Sequence, residues 1–352
     1  MKRFIYSIFF ISSLVMGSSK TLLTLDEITS ITPEMETYLA ENIPAGMPHS
    51  EVLVQLVKLV FNKDFINLTY NNNRTKTASE TFQTRSGNCL SFTNMFVVMA
   101  RHLGLNARFQ EVRNLPTWDR NGRVVVLNRH INVLVYLRER KITVDFNPYD
   151  EHRQIWTEII SDARAMAQFY NNFGAEAFAN GDNDYAIANF MEAIAIAPEM
   201  SFSRTNLGVV YSSQGEYDLA EKAYLEAIDL SNNDMTAVNN LAMLYTRTGQ
   251  ESKAKSYQRR VNHFRKKNPY YHFNLGMDAF KKEAYGEAVT HFKRAIRRKE
   301  EDHQFYFAIA KAYAYMGNME KATDSLKKAQ NYAPEVFDRT RYSQKLNMLA
   351  IR

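Results

Sequence analysis

From Ala167 onward the chain repeats itself every 34 residues, and no other property of the sequence restricts its fold so tightly. Repeats begin at 167, 201, 235, 269 and 303 without a slip of register. The eighth position holds Gly174, Gly208, Ala242, Gly276 and Ala310; the twentieth holds Ala186, Ala220, Ala254, Ala288 and Ala322. Bulky side chains take the twenty-fourth position in Phe190, Tyr224, Phe292 and Leu326, and small ones the twenty-seventh in Ala193, Ala227, Ala295 and Ala329, with Val261 between. Gly181, Gly215, Gly249 and Gly317 punctuate the middle of four units, while Pro198 and Pro334 close the first and the fifth. Small residues at fixed places with a large one between them predict pairs of helices that cross closely.

This pattern resembles the tetratricopeptide (TPR) repeat. The resemblance implies an all-α solenoid of five units, at 167–200, 201–234, 235–268, 269–302 and 303–336, with "FDRTRYSQKLNMLAIR" (337–352) as a capping helix. Such an array offers a groove for a protein or peptide partner. Its charge is uneven: the first two units hold two basic and eleven acidic residues, the third eight basic and one acidic. A solvated outer face explains such runs as well as a groove selective for a charged partner does. A net charge of +6 over 352 residues gives no reason to expect a nucleic-acid partner.

The N-terminus reads as an export signal over residues 1–19. "MKR" is followed by the apolar stretch "FIYSIFFISSLVM" and the small residues "GSS", too short a run to span a bilayer comfortably. The expected location is therefore secreted or periplasmic, without a membrane span after cleavage; an uncleaved anchor is the alternative. No cysteine follows the apolar stretch, which argues against a lipoprotein.

Export gives weight to Cys89, the single cysteine of the chain. Exported chains use cysteines in pairs, so an odd one suggests a free thiol. One cysteine also excludes a multi-cysteine zinc or iron–sulfur site, and no HExxH cluster is present, so neither metal nor cofactor is expected.

The segments around 26–85 have helical patterning. In "HSEVLVQLVKLVFNKDF" Leu53, Leu56, Val57 and Val60 share one face, and Ser50 is the expected N-cap. Phe92, Phe96, Met99 and Leu103 form an inward stripe on a helix that Gly104 ends. Cys89 belongs to the first turn of that helix, where the N-terminal partial charge favours anions such as a thiolate. Asn88 and Ser91 fit capping roles, and His102 a surface or packing one.

"RHINVLVYLRERKITVDFNP" alternates on both sides of a charged turn and reads as a β-hairpin. With Arg138-Glu139 as its turn, Asp145 falls opposite Asn132, one diagonal step from His130 on the same face. A helix-start cysteine, a strand histidine and a next-strand aspartate supply the parts of a thiol triad. Taken singly, each has a bland structural explanation: a buried small side chain, a core imidazole, a turn former.

Residues 80–150 resemble the transglutaminase-like superfamily of papain-type cysteine enzymes. The resemblance rests on "RSGNCLSFTNMFVVMARHLGLNARF", on His130 opening a strand, and on "VDFNP". It implies an α+β papain/transglutaminase-like domain at 20–166, with Cys89 as nucleophile, His130 as general base and acid, and Asp145 as orienting carboxylate. Gln83, six residues before the cysteine, is an oxyanion-donor candidate, as is the Cys89 backbone N–H. Many members carry tryptophan two residues after the histidine; this chain has Asn132. The expected function is a cysteine-dependent enzyme acting on amide bonds, a peptidase, amidase or acyl transferase, joined to a TPR array. The alternative is a catalytically inactive TPR adaptor.

Overall fold

A computed structural model describes residues 20–350 apart from 63–64, 72–73, 114–117, 122–123, 128–129, 139, 147–155, 233 and 334–335. The export-signal expectation at 1–19, and Glu139 and Pro334, lie outside the described residues. The chain divides into two compact units. The first comprises Met1–Phe109, Asn132–Phe146 and Ile160–Pro198; the second comprises Gln110–Ile131, Asn147–Ile159 and Glu199–Arg352.

Three helices open the first unit: α1 (Leu25–Thr29), α2 (Pro33–Asn42) and α3 (His49–Phe61). Helix α3 starts ahead of Ser50. Pro48 holds the N-cap position with φ −57°, a value its ring fixes, so Ser50 lies within the helix instead of capping it. Leu53, Leu56 and Val60 are buried as the spacing requires, joined by Val52 and Leu59. Strand β1 (Thr69–Tyr70) runs parallel to β2 (Ser86–Gly87), with α4 (Ala78–Thr84) between them in sequence. Thr77 and Glu80 close a capping box on α4, and Arg85 ends it at φ 51°.

Helix α5 (Cys89–His102) follows at once. The sequence predicts one apolar stripe, yet the helix is buried around most of its circumference from Leu90 to Val97. Of its polar members, Asn94 is half accommodated: its Nδ2 donates to the Ile28 carbonyl at 2.8 Å, while its buried Oδ1 has no hydrogen-bond partner among the described residues. At the far end Arg101 grips Asp162 with both terminal nitrogens, at 2.7 and 2.8 Å, and its Nε donates to the Ala107 carbonyl at 3.0 Å. That guanidinium holds the Asp162 carboxyl below the usual range.

Strand β3 (Asn106–Arg113) leaves α5 through Gly104, at φ +78°. The short strands β4 (Trp118–Asn121) and β5 (Val124–Leu127) form an antiparallel pair in the second unit. Strands β6 (His130–Tyr136) and β7 (Lys141–Val144) form the expected hairpin. Val133 pairs with Val144 and Tyr136 with Lys141, while Leu137 and Arg140 exchange backbone bonds around the turn. Strand order is β7-β6-β3, and the far half of β3, Gln110–Arg113, pairs antiparallel with β8 (Trp156–Ile159).

Among the described residues eleven helices follow β8. Helices α6 (Asp162–Ala179) and α7 (Asn183–Ile196) belong to the first unit. The second unit holds α8 (Ser201–Gln214), α9 (Tyr217–Leu230), α10 (Met235–Arg247), α11 (Glu251–Lys267), α12 (Pro269–Lys281), α13 (Tyr285–Ile296), α14 (His303–Tyr315), α15 (Met319–Tyr332) and α16 (Val336–Ala350). The first helices of four successive pairs begin at Ser201, Met235, Pro269 and His303, one sequence period apart. The small and large repeat positions meet within each hairpin. A Cβ on Gly174 would lie 2.7 Å from the Phe190 ring, on Gly208 2.7 Å from Tyr224, and on Gly276 2.5 Å from Phe292. Where the partner is not aromatic, Gln258 and Leu326, the small position carries alanine, Ala242 and Ala310. This is an α+β domain followed by an all-α TPR solenoid.

Candidate active site

The site is organised around the start of α5. Strand β1 lies beside Ser86-Gly87: Thr69 N–H donates to Arg85 and Asn71 N–H to Gly87, both at 2.8 Å. This ladder sets Tyr70 opposite Gly87, two residues before the thiol. Gly87 must be glycine because its Cβ would stand 2.7 Å from Cβ of Ser91.

Cys89 is the first helical residue, half-buried and not in a disulfide. The Tyr70 hydroxyl hydrogen-bonds its sulfur. Burial first, then the proximity of Cys89 and this bond, pushes the Tyr70 phenol up to about 12. Tyr70 is therefore a protonated donor at neutral pH. Its ring also meets Phe92 edge-on at 6.2 Å.

Asn88 caps the helix. Its Oδ1 accepts from Ser91 N–H at 2.9 Å and Ser91 Oγ at 3.0 Å, while its Nδ2 donates to Thr75 Oγ1 at 2.8 Å. Asn88, Thr75 and Ser91 are all buried. The chain's path into the thiol position is thus fixed by a closed set of polar contacts.

Asp145 follows β7, half-buried, and accepts a bond from Asn132 Nδ2 at 3.0 Å. The next residue, Phe146, is buried against α5: its ring lies 5.9 Å from Phe92 and 5.7 Å from Phe96, and stacks on Phe61 at 5.1 Å. The end of β7 is therefore anchored to the helix that begins with Cys89. His130 is the first residue of β6, belongs to the second unit, and is 5% exposed. Gln83 sits on α4 with its side chain exposed, where water competes for its amide. His102 is exposed at the far end of α5, 3.7 Å from Glu36. Tyr70 leaves no signal in the sequence, since it sits in a polar, irregular stretch; Asn132 is legible as the residue opposite Asp145 and as a departure from tryptophan, but with no role at the site.

Among the described residues no cluster of three or more His, Cys, Asp or Glu side chains is arranged to hold a metal ion. Among the same residues no helix is long and apolar enough to cross a membrane.

The fold and its thiol-bearing helix define a class: a mixed α/β domain with a helix-start cysteine, followed by helical hairpins in regular phase. The transglutaminase-like superfamily core matches residues 38–171, and the tetratricopeptide repeat matches 203–234, 236–262 and 303–336. The chain carries a transglutaminase-like domain followed by TPR repeats. Over 69 residues it is 36% identical to the peptidyl-prolyl cis-trans isomerase FKBP42 of Arabidopsis thaliana, which is 20% of this chain and 19% of that protein. The chain thus spans about a fifth of that relative. Among solved structures, YrrB, described as a TPR protein with an unusual peptide-binding site, shares 19% identity over 50% of this chain and 90% of its own, at a TM-score of 0.26. A fragment of MamA from Desulfovibrio magneticus shares 14% over 49% of this chain and 96% of its own, at 0.28.

Proposed function

We propose that this chain is an exported thiol enzyme acting on amide bonds, with Cys89 as nucleophile, His130 as base and Asp145 as orienting carboxylate. The observation that carries this reading is the state of the sole thiol. It is half-buried at a helix N-terminus, with a phenol donating to its sulfur, and is not sealed among hydrocarbon.

In the proposed reaction His130 takes the thiol proton and the sulfur attacks the carbonyl carbon of an amide. The Cys89 backbone N–H and the Tyr70 hydroxyl receive the developing oxyanion, a role for which solvent-exposed Gln83 is less suited. Collapse breaks the C–N bond, His130 returns the proton to the leaving amine, and a thioester remains. Water then gives hydrolysis, or an amine gives transamidation. Asn132 holds one oxygen of Asp145, leaving the carboxylate oriented for the imidazole.

The proposed boundaries are 1–19 for the signal, 20–166 for the thiol domain, 167–336 for five repeats and 337–352 for the cap. The array holds a protein or peptide partner. Capture by a Cys89→Ala variant, read by mass spectrometry beside the wild type, tests the whole. A captured protein cut or cross-linked only by the wild type supports enzymatic action. Captured proteins left chemically unchanged by both forms would make the chain an adaptor.

A further inference from the structure

Glu176 lies on α6, beyond the 38–171 match to the transglutaminase-like core, yet it reaches the scaffold of the thiol. Its Oε1 accepts the backbone N–H of Thr75 at 2.6 Å, a contact spanning 101 residues of sequence. Thr75 Oγ1 in turn accepts Nδ2 of Asn88 at 2.8 Å, and Asn88 Oδ1 caps the helix that starts at Cys89. A second strand of the same network ties Lys76 N–H to Ser91 Oγ at 2.8 Å.

Three features give this line directional meaning. Thr75, Asn88 and Ser91 are 3%, 7% and 0% exposed, so water does not substitute for a lost partner. The Asn88 amide uses donor and acceptor ends on different groups, so a shift of Thr75 rotates the cap itself. The backbone of Asn88 leads directly into Cys89, so rotation of the cap moves the sulfur relative to the groups around it. Helix α6 is meanwhile held in place by the Arg101–Asp162 fork.

We propose that Glu176 is a positioning residue for the thiol, acting through Thr75 and Asn88, so that the α6–α7 hairpin completes the reactive centre instead of merely following it. The proposal rests on the reading of Cys89 as nucleophile. Its consequence is that the functional unit extends past the transglutaminase-like match to the end of α6.

Because Cys89 is the only cysteine, iodoacetamide alkylation of the full-length protein reports its reactivity without background. Glu176→Ala slows the alkylation rate by about tenfold and shifts its pH profile, since small misplacements of reacting groups cost at least this much. Glu176→Gln, which keeps a carbonyl acceptor for Thr75 N–H, restores most of the rate. Thr75→Val keeps the backbone N–H bond to Glu176 but removes the hydroxyl that Asn88 grips and that also bonds Glu176, and slows alkylation to the same degree. The double variant is no slower than either single one. Thr75→Val with a wild-type rate and profile overturns the proposal, and so does a folded Glu176→Ala with both unchanged. If Glu176→Ala does not fold, Thr75→Val alone decides. The wild-type profile answers the separate question of whether the thiol is activated. The ratio of variant to wild type tests the positioning even where that profile is ordinary.

Discussion

Asn132, wholly buried on β6, donates its Nδ2 to Oδ2 of Asp145 at 3.0 Å across the hairpin. The hairpin register places the two residues opposite each other. The amide therefore occupies the place from which it can fix the carboxylate. Asn132→Ala removes this donor from the half-buried carboxylate, a hydrogen bond to a charged group worth about 1.5–3 kcal/mol. Urea denaturation checks this: an unchanged midpoint means that the bond contributes nothing to the fold.

Tyr70→Phe removes one hydroxyl and keeps the ring on Phe92. Loss of a donor at the reacting centre lowers turnover by about 10²-fold or more, while stability changes by less than about 1 kcal/mol, as for other modest losses of a single hydrogen bond. Initial rates on the substrate recovered by capture, with thermal melting alongside, separate the two effects. Equal turnover in both forms would confine Tyr70 to packing.

In the repeats, Gly208→Ala drives a methyl group to 2.7 Å from the Tyr224 ring. Overpacking of this kind costs about 1–3 kcal/mol. Adding Tyr224→Leu recreates the alanine–leucine combination of Ala310 and Leu326 and recovers much of the loss. A double-mutant cycle by chemical denaturation measures the coupling; strict additivity would mean that the two positions do not constrain each other.

Burial raises the Glu176 carboxyl above its ordinary 4.5, with the Thr75 bonds and the Arg74 charge opposing part of that rise. The folded state therefore binds this proton more tightly than the unfolded chain does. Stability from this group is fully present below pH 4.5 and is lost as pH rises through the elevated value. Glu176→Gln has no such titration. Melting temperatures measured from pH 4 upward show the variant gaining on the wild type across that window and then running parallel. A constant difference at every pH would mean that the carboxyl titrates as it does in the unfolded chain.

The repeat phase was legible in the sequence because each hairpin solves the same steric problem with the same pair of positions, Gly174 with Phe190 and again Gly276 with Phe292. The β6–β7 register was legible as well, since strict alternation and a two-residue connection leave one pairing that buries Val133 and Val144 together. Ser50 misled as a cap because a proline just upstream already fixes the helix entry. Tyr70 and Glu176 left no local signal. A two-residue strand has no periodicity to detect, and Glu176 meets its partner's backbone N–H, which any residue type at position 75 except proline would supply. Asn132 stood out by its place opposite Asp145 and by contrast with the tryptophan common there. Its use became apparent from the cross-strand bond to Asp145.

The most direct measurement is the pH dependence of Cys89 alkylation by iodoacetamide, in the wild type and in His130→Ala. A thiol paired with an imidazole reacts rapidly at pH 6, well below the ordinary thiol pKa of about 8.5, and His130→Ala returns it to slow reaction that accelerates only above pH 8. Slow alkylation at pH 6 in the wild type, identical in the variant, would contradict the thiol-enzyme account.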